Sequence, residues 1–257
     1  MSRVAFVTGA SSGLGAGLAR RLARSGYAVA LAARRLDRLD EVARAVRAEG
    51  GTALPVACDV REPDQVRAAV QAAVRELGPV DLLVANAGVS GMTRPEDFSA
   101  SKVEDVMRTN FLGPVYAVEA VLPSMLARRS GHLVAVGSLA GYGGLPKSGA
   151  YSASKGALHN FFESLRLDLR GSGVDVTVIT PGYVKTELTA KNTYRMPFLL
   201  ELDDAVERMV RGIERRDALV AFPLPFFALA WMAQILPASI YDRIGARVRR
   251  EKREEAP

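Results

Sequence analysis

The sequence predicts an α/β fold, built as a doubly wound, mostly parallel sheet of seven strands with helices on both faces. Short runs that are apolar at nearly every position alternate with longer segments in which apolar residues recur at helical spacing. Fully apolar runs are typical of strands buried on both faces, as in a parallel sheet covered by helices. No repeat, low-complexity tract or linker interrupts the alternation, so we predict one domain over residues 1–221. Residues 222–257 differ in composition and form a C-terminal extension packed on that domain or on its partner.

The predicted elements alternate along the chain. β-Branched and small apolar residues fill the strand candidates, which span residues 4–8, 28–33, 53–57, 82–85, 132–136, 174–180 and 219–222. Helical periodicity marks the segments between them, which span residues 14–25, 36–49, 64–77, 102–129, 152–170 and 203–215. In folds of this kind, ligands bind at the carboxyl ends of the strands.

The composition argues against several classes of function. The single cysteine, Cys58, cannot form an intramolecular disulfide and fits a reducing compartment. Two histidines and no cysteine cluster provide no set of metal ligands, so no metal site is predicted. The net charge of +6 is spread over helices in which basic and acidic residues interleave. That pattern is typical of solvated helix faces, so we predict no nucleic-acid partner.

The N-terminus and the longest apolar run bear on location. An apolar strand pattern follows Met1-Ser2-Arg3 immediately, which leaves no room for the apolar core of a signal peptide. The longest apolar run, residues 226–236, is much shorter than the ~20 residues that a membrane-spanning helix needs. We therefore expect a cytoplasmic protein.

A glycine-rich turn follows the first predicted strand, where residues 8–15 read Thr-Gly-Ala-Ser-Ser-Gly-Leu-Gly. Gly9 permits a tight turn, and Gly13 and Gly15 let the backbone approach a pyrophosphate at the N-terminus of the next helix. A turn that only packs the helix on the strand is the structural alternative. Its place after the first strand of an α/β alternation favours dinucleotide binding, as in Rossmann folds. The contacts predicted for this turn come from Thr8, Gly9, Ser11, Ser12, Gly13, Leu14 and Gly15.

Three polar residues further along the chain suit carbonyl chemistry. Tyr151 and Lys155 are four residues apart and face the same side of a helix, and Ser138 follows the fifth strand. A ketone that accepts hydride develops negative charge on its oxygen, which needs a proton donor and a hydrogen-bond donor. A lysine ammonium ~4 Å from a phenol would favour the phenolate by about 4 kcal/mol at an effective dielectric constant of about 20. We therefore predict Tyr151 as general acid/base, Lys155 as its electrostatic partner and Ser138 as the residue that polarises the carbonyl.

The glycine spacing Gly-x3-Gly-x-Gly and the spacing Ser-x12-Tyr-x3-Lys together resemble the short-chain dehydrogenase/reductase family, over about residues 3–190. The resemblance implies an NAD(P)-dependent alcohol dehydrogenase or ketoreductase in which Lys155 also holds the nicotinamide ribose. It implies that Asn110 is a fourth catalytic residue, supporting a proton relay from Lys155 through water. An asparagine that bonds to backbone within a long helix is the alternative for Asn110.

The resemblance also implies further cofactor contacts. Asp59 would contact the adenine, and the Val184 backbone and Thr186 hydroxyl would hold the carboxamide. Residues 86–88 read Asn-Ala-Gly, as in most of a family motif, but Ala85 stands where that motif has another asparagine. These contacts come from Asp59, Val60, Asn86, Ala87, Gly88, Pro181, Gly182, Val184 and Thr186.

The end of the second predicted strand indicates NADP(H) as the cofactor. NAD sites place an acid on the ribose hydroxyls at this point, whereas NADP sites place arginine near the 2′-phosphate. Here the strand ends in Ala33-Arg34-Arg35 with no acid at its tip, and we predict Arg34 as the principal contact. Asp37 competes, but we interpret it as a helix-start residue. Ser12, where many NADP-using relatives carry a base, weakens this prediction.

The predicted function is an NADP(H)-dependent oxidoreductase that interconverts a carbonyl and a secondary alcohol. The loops at residues 90–101, 139–150 and 185–202 would set substrate specificity, and their apolar side chains with few charges favour a lipophilic substrate. Those side chains are Met92, Phe98, Tyr142, Leu145, Met196, Phe198 and Leu199. The alternatives are a catalytically silent NADP-binding regulatory protein, an NAD-preferring dehydrogenase of the same fold, and a lyase, isomerase or epimerase of nucleotide sugars.

The C-terminal extension leaves three interpretations open. Pro223 and Pro225 exclude a helix before Phe226, and Pro237 disfavours helix at residue 236. We therefore predict a short helix over residues 226–236 and a second from residue 239 to about 249. The first helix is apolar nearly all round, so its own domain cannot cover it unless another surface also packs there. It is a subunit interface of a homodimer or homotetramer, as relatives commonly form, or a lid over a lipophilic substrate, or a membrane-surface anchor. In the anchor, the polar side would carry Arg243, Arg247, Arg249 and Arg250.

Overall fold

The computed structural model describes residues 2–190, 192 and 195–254, without the side chains of residues 247–254. It contains one seven-stranded sheet in which every neighbouring pair of strands is parallel, in the order β3-β2-β1-β4-β5-β6-β7. The strands are β1 Arg3–Thr8, β2 Tyr27–Ala33, β3 Thr52–Ala57, β4 Val80–Ala85, β5 Gly131–Val136, β6 Val174–Pro181 and β7 Leu219–Phe222. The predicted fold class and all seven strand positions are confirmed, with ends that differ by two residues at most. Phe222, which we assigned to the C-terminal extension, pairs with Pro181 inside β7.

Helices cover both faces of the sheet. Their bounds are α1 Gly13–Arg24, α2 Leu36–Ala48, α3 Pro63–Leu77, α4 Ala100–Met107, α5 Gly113–Arg128, α6 Gly149–Asp168, α7 Leu202–Arg215, α8 Leu224–Ala233 and α9 Ala238–Glu254. Leu18 of α1, Leu39 of α2 and Met209 of α7 are fully buried in one cluster with side chains from β1, β2 and β4. Met125 of α5 and Phe162 of α6 are fully buried in a second cluster on the opposite face. The strands read as continuous apolar runs because both of their faces are covered.

The long helix predicted over residues 102–129 is interrupted, which corrects that prediction. A π-helical turn at Arg108–Leu112 separates α4 from α5, and the Gly113 N–H bonds to the Arg108 carbonyl five residues back. The cause lies in the sequence, because Pro114 has no N–H to donate to the Asn110 carbonyl four residues earlier. The wider turn surrounds Asn110, which is fully buried. Such turns occur frequently at functional sites.

The prediction that Pro223 and Pro225 exclude a helix before Phe226 is wrong. The helix α8 begins at Leu224, with Pro223 at its N-cap and Pro225 in its first turn. The first N–H groups of a helix have no partner within the helix, so a proline in that turn removes no hydrogen bond. After the end of α8, the N–H groups of residues 234–236 donate to carbonyls three residues earlier, as in a 3₁₀ turn. Pro237 follows, and α9 then runs to Glu254.

Candidate active site

Predicted cofactor and catalytic residues lie at the carboxyl ends of four adjacent strands, and further ones lie after β2 and β3, in the π-helical turn and on α6. β1 ends in the glycine turn, β4 in Asn86, β5 in Ser138 and β6 in Pro181. Because the four strands are parallel and hydrogen-bonded side by side, these ends meet at one edge of the sheet. Topology alone therefore assembles a single site from segments that are about 170 residues apart in sequence.

The glycine turn has the shape of a phosphate cradle. Gly13 has a φ of +52°, which favours glycine, and it begins α1. A Cβ at Gly15 would lie 2.2 Å from the Gly9 carbonyl oxygen and 2.5 Å from Asn86 Nδ2, so no side chain fits there. Ser12, at the N-cap of α1, makes no side-chain capping bond. The first N–H groups of α1 therefore lie at the glycine turn, the position that binds phosphate in dinucleotide-binding folds.

Thr8 ties the glycine turn to the β4 loop. Its buried hydroxyl accepts hydrogen bonds from the Asn86 and Ala87 N–H groups, both at 3.0 Å. In return, Asn86 Nδ2 donates to the carbonyls of Thr8 and Gly9, at 2.9 and 3.3 Å. Ala85, which replaces a family asparagine, is buried at the end of β4 and takes no part in these bonds. Thr8 and Asn86 therefore hold the two loops against each other.

Two arginines follow β2 and take different directions. Arg34 is exposed, and its charge lowers the pKa of Asp59 in addition to the larger effect of Arg61. Arg35 donates to the hydroxyls of Ser11 and Ser12, at 3.2 and 2.9 Å. The sequence predicted Arg34 as the principal contact of the 2′-phosphate, and the position of Arg35 against the glycine turn was not foreseen. The signal was present, since successive side chains at a strand end point to opposite sides.

Asp59 and Val60 follow β3 on the far side of the cradle. The Asp59 carboxylate accepts hydrogen bonds from Arg61 Nε and Nη2, and this pair keeps the pKa of Asp59 below its usual range. Asp37 lies in the first turn of α2, in agreement with its interpretation as a helix-start residue. Val60 is buried against the start of α5, where a Cβ at Gly113 would lie 2.9 Å from its Cγ2. Leu14 is partly buried against the core.

The structure brings Lys155 and Tyr151 together on α6. Lys155 Nζ lies 5.9 Å from the centre of the Tyr151 ring and donates a 2.8 Å hydrogen bond to the Val136 carbonyl at the end of β5. The lysine side chain is buried, and this burial lowers its pKa to about 8. Ser138 follows β5, and its Oγ accepts the Ala140 N–H at 3.1 Å. The three predicted catalytic residues thus belong to α6 and the end of the strand beside it.

Asn110 joins this group from the π-helical turn. Its Oδ1 accepts the Val89 N–H at 2.8 Å, and its Nδ2 donates to the Val89 carbonyl and to Ser154 Oγ, both at 3.0 Å. A Cβ on Gly88 would lie 3.5 Å from Asn110 Oδ1 and 3.6 Å from Lys155 Nζ, so Gly88 lies next to both side chains. Asn110 therefore connects the β4 loop to α6.

The loop after β6 closes the cradle from the other side. Val184 is buried and bridges to Leu200. The Thr186 N–H donates to Thr189 Oγ1, and a Cβ at Gly13 would lie 3.3 Å from Thr186 Cβ. This contact places the predicted carboxamide-binding segment, Pro181 to Thr186, directly against the glycine turn.

Aromatic side chains of α8 pack on loops beside the site. The sequence suggested a lid here as one interpretation, but it did not predict the individual contacts. Phe226 stacks on Tyr183 with ring centres 5.8 Å apart, and it lies 6.2 Å from Phe198. Phe227 meets Tyr142 edge to face at 5.5 Å. Residues Tyr142 and Phe198 belong to loops predicted to set specificity, so the C-terminal extension packs on its own domain over these loops.

The outer surface of the extension is apolar and exposed. Leu224, Leu229, Trp231 and Met232 of α8 are each more than half exposed, and no residue of α8 is buried. In α9, the Tyr241 hydroxyl donates to the Gly144 carbonyl at 2.8 Å. The side chains of Arg247, Arg249 and Arg250, which we placed on the polar side of an anchor, lie outside the described residues.

The described residues contain neither a candidate membrane-spanning helix nor a candidate metal cluster. Over residues 2–190, 192 and 195–254, no helix is both long and apolar enough to cross a bilayer. Within the same residues, histidine, cysteine and carboxylate side chains form no group of three that could hold a metal ion.

Comparison with known proteins identifies the family. The sequence model of the short chain dehydrogenases matches residues 3–196. An uncharacterized oxidoreductase of Myxococcus xanthus (strain DK1622) is 49% identical over 247 residues, which cover 96% of this chain and 98% of that protein. A variant of actinorhodin polyketide ketoreductase, solved with NADPH, superposes with a TM-score of 0.81 and 31% identity over 86% of this chain and 95% of its own.

A short chain dehydrogenase/reductase from Burkholderia phymatum, solved with NAD, superposes with a TM-score of 0.82 at 27% identity, over 89% of this chain and 92% of its own. The two solved proteins hold different nicotinamide cofactors, so similarity to them does not choose between NAD and NADP. The family model, the Myxococcus xanthus relative and the two solved structures all indicate the same family. The chain belongs to the short-chain dehydrogenase/reductase family, the oxidoreductases that act on alcohol and ketone groups.

Proposed function

We propose that this protein is an NADP(H)-dependent oxidoreductase that interconverts a lipophilic ketone and a secondary alcohol, with Tyr151 as general acid/base. The observation that carries the proposal is the approach of the buried Lys155 ammonium to the Tyr151 ring at the carboxyl end of β5. A cation held in a dry environment stabilises a neighbouring phenolate more than it would in water. This arrangement supports proton transfer, which a protein that only binds nucleotide does not need.

Each polar residue then has a role at a stated atom. The nicotinamide supplies or accepts hydride at the carbonyl carbon when it is bound. In the reducing direction, the Tyr151 hydroxyl gives its proton to the substrate oxygen, and Lys155 stabilises the phenolate that remains. The Ser138 hydroxyl donates to the same oxygen, because its own lone pair is held by the Ala140 N–H. The Val136 carbonyl accepts one of the three N–H donors of the lysine ammonium, and the other two would be available to the ribose hydroxyls of a bound nucleotide.

Asn110 is proposed to support the proton relay that returns a proton to Tyr151. Its side chain fixes the β4 loop through Val89 and fixes α6 through Ser154. Ser154 in turn donates to the Tyr151 carbonyl at 2.8 Å, which completes a chain of bonds from the π-helical turn to the general acid. The position of Asn110 beside Lys155, with Gly88 next to both, supports a water-mediated route from the lysine.

Arg34 and Arg35 support the preference for NADP(H). Both follow β2 with no acid at the strand tip, and Arg35 bonds to the hydroxyls of Ser11 and Ser12 and pairs with Glu187 in the loop after β6. A 2′-phosphate beside either guanidinium group would receive charge-assisted hydrogen bonds, which are stronger than neutral ones. With NAD, neither arginine would find an anionic partner on the ribose.

The aromatic residues of α8 support a lipophilic substrate. Phe226 and Phe227 pack on Tyr183 and Tyr142, which belong to the loops that follow β6 and β5. A flat apolar substrate would gain stacking and dispersion contacts here, and no acidic or basic side chain would be desolvated. This favours the lid interpretation for the inner face of α8.

The exposed outer face of α8 is a second interaction surface. An apolar surface of this kind on one protomer marks an interface, and we propose that a second copy of this chain covers it in a homodimer or homotetramer. Contact with a membrane surface is the competing interpretation, because an arginine-rich segment follows in α9.

The direct test is a screen of carbonyl compounds with NADPH and NADH, read as loss of nicotinamide absorbance with identification of the alcohol formed. We expect turnover of apolar ketones with NADPH and weaker turnover of charged keto acids. A protein that binds NADPH tightly and reduces none of the compounds would support the regulatory alternative instead.

A further inference from the structure

A buried histidine lies directly beneath the Ser138 loop. His159 is on α6, one turn after Lys155, and is only 7% exposed. A Cβ on Gly137 would lie 2.2 Å from its Nε2, and a Cβ on Gly141 would lie 2.7 Å from its Cε1. The imidazole thus occupies the space left by two glycines, one on each side of Ser138 in the chain. Any side chain at either glycine would displace the ring or the loop.

The imidazole also accepts a hydrogen bond from the loop. The Ser138 N–H donates to His159 Nε2 at 3.4 Å. Other bonds hold the same segment, since the Gly137 N–H donates to the Ile179 carbonyl at 2.7 Å and the Gly141 N–H to the Ser138 carbonyl at 3.0 Å. The Ser138 N–H itself depends on the histidine. Losing this acceptor would leave a backbone donor at the catalytic loop without its partner.

The protonation state suits this role. Burial, with a smaller effect of the nearby charge of Lys155, lowers the pKa of His159 to about 4. Lys155, one turn earlier on α6, acts on the ring by its charge, and the phenol ring of Tyr142 lies 5.1 Å away; Glu163, one turn later on α6, is exposed. At neutral pH the ring is uncharged, with its proton on Nδ1 and the Nε2 lone pair directed at Ser138.

We propose that His159 is a positioning residue that sets the direction of the Ser138 hydroxyl by fixing the Ser138 backbone from below. This rests on the proposed function of Ser138 in polarising the substrate carbonyl. The histidine touches neither substrate nor cofactor, and it acts through the loop alone. A hydroxyl that must point at a developing oxyanion loses much of its effect when its backbone shifts by a fraction of an ångström.

Side-chain length separates this role from simple packing. Glutamine places an acceptor about where Nε2 lies, whereas asparagine reaches only as far as Nδ1. We expect His159→Asn and His159→Leu to lower kcat by roughly tenfold or more, with unchanged affinity for NADPH, and His159→Gln to keep most of the activity. His132→Leu is the matched control, because His132 is equally buried, lies at the start of β5 and bonds to Thr177. It should lower stability and leave kcat as in the wild type.

A double substitution tests whether the effect passes through Ser138. In the Ser138→Ala background, His159→Asn should cause little further loss, because the hydroxyl that it positions is already gone. A full additional loss in that background would overturn the proposal, as would an unchanged kcat in His159→Asn or a His159→Gln variant as impaired as His159→Asn.

Hydrogen exchange gives an answer that needs no substrate. Amide exchange of the segment 137–142 should accelerate in His159→Asn and His159→Leu, but not in His159→Gln or His132→Leu. Unchanged protection of this segment would contradict the positioning role even if no carbonyl substrate were found. Accelerated exchange in a protein that reduces no carbonyl would leave His159 as the support of the loop and would count against the proposed oxidoreductase function.

Discussion

Lys155 Nζ lies 5.9 Å from the centre of the Tyr151 ring and is held there by a 2.8 Å hydrogen bond to the Val136 carbonyl. The lysine is buried, and burial lowers its pKa to about 8 from 10.5. A cation in this position destabilises the folded state, because the unfolded chain would hydrate it fully. The protein therefore gives up some stability to keep a positive charge beside the general acid.

We predict that Lys155→Met raises the free energy of unfolding at pH 7 by about 1–2 kcal/mol while abolishing turnover. The gain from removing a buried charge exceeds the loss of one hydrogen bond to Val136. The pKa of Lys155 is about 8 in the folded state and 10.5 in the unfolded state. The buried charge therefore lowers the unfolding free energy of the wild type by its full amount below pH 8, and this loss of stability disappears as the pH rises to 10.5. The advantage of the variant should shrink over that window in denaturant titrations. A variant less stable than the wild type at pH 7 would contradict this reasoning.

Removal of the Tyr151 hydroxyl tests the proposed chemistry. Tyr151→Phe keeps the ring and its packing but removes the exchangeable proton. We expect turnover to fall on the order of 10²–10⁴-fold, with NADPH affinity retained. Steady-state rates and nucleotide titration measure the two quantities separately. More than half of the wild-type activity in this variant would show that another group transfers the proton.

Cofactor choice should depend on the two arginines after β2. Arg34→Ala and Arg35→Ala should each weaken NADPH binding by about 10- to 100-fold, the effect of losing a hydrogen bond to a charged group, and should change NADH binding little. Arg38→Ala is a suitable control, since Arg38 is an exposed arginine of α2 that pairs with Glu41. Tighter binding of NADH than of NADPH to the wild type would refute the cofactor assignment itself.

The sequence was most informative where one local pattern decides the structure. The apolar strand runs predicted every strand, since burial on both faces leaves no polar alternation to confuse them. The glycine turn and the Ser138, Tyr151 and Lys155 spacing indicated the site because all of them lie next to strand ends. The order of the strands then brought these segments together without any further information.

Contacts that depend on side-chain direction could not be predicted in the same way. Arg34 and Arg35 are adjacent in sequence, and only the backbone direction after β2 shows that Arg35 crosses the glycine turn. In the sequence, His159 has the features of any buried helical residue. Only the structure shows that Gly137 and Gly141 lie against its ring. The break at Pro114 was readable, because the missing N–H is a property of the sequence.

The pH dependence of stability should reveal the second buried histidine. Thr177 Oγ1 donates to the Asp217 carbonyl, so His132 Nε2 donates to Thr177 and the ring is neutral. Burial lowers the pKa of His132 to about 4. The contribution of the neutral ring to the unfolding free energy is therefore complete above pH 6.5, and it is lost as the pH falls toward 4. Between pH 7.5 and pH 5 we expect His132 to account for about 2 kcal/mol of the loss in unfolding free energy. Denaturant titrations of His132→Gln should show a correspondingly flatter profile; an unchanged slope would contradict the assignment.

The two faces of α8 should respond differently to substitution. Phe226 stacks on Tyr183 on the inner face, so Phe226→Ala should raise KM for an apolar ketone several-fold without changing NADPH affinity. Leu229→Ser on the exposed face is the matched variant, and we expect it to alter assembly while KM stays as in the wild type. Equal KM values in both variants would remove α8 from the substrate site.

Removal of the whole extension decides what covers its outer face. Phe222 belongs to β7, so the truncated chain should keep that residue and lack residues 223–257. If a second copy covers α8, light scattering should report a smaller assembly, and loss of Phe226 should weaken substrate binding while NADPH still binds at the glycine turn. An unchanged oligomer with an unchanged KM would contradict both the interface and the lid. In that case, co-sedimentation of the full chain, but not of the truncated one, with anionic liposomes would identify α8 and the arginines of α9 as a membrane-surface contact, since apolar area and positive charge both strengthen such binding.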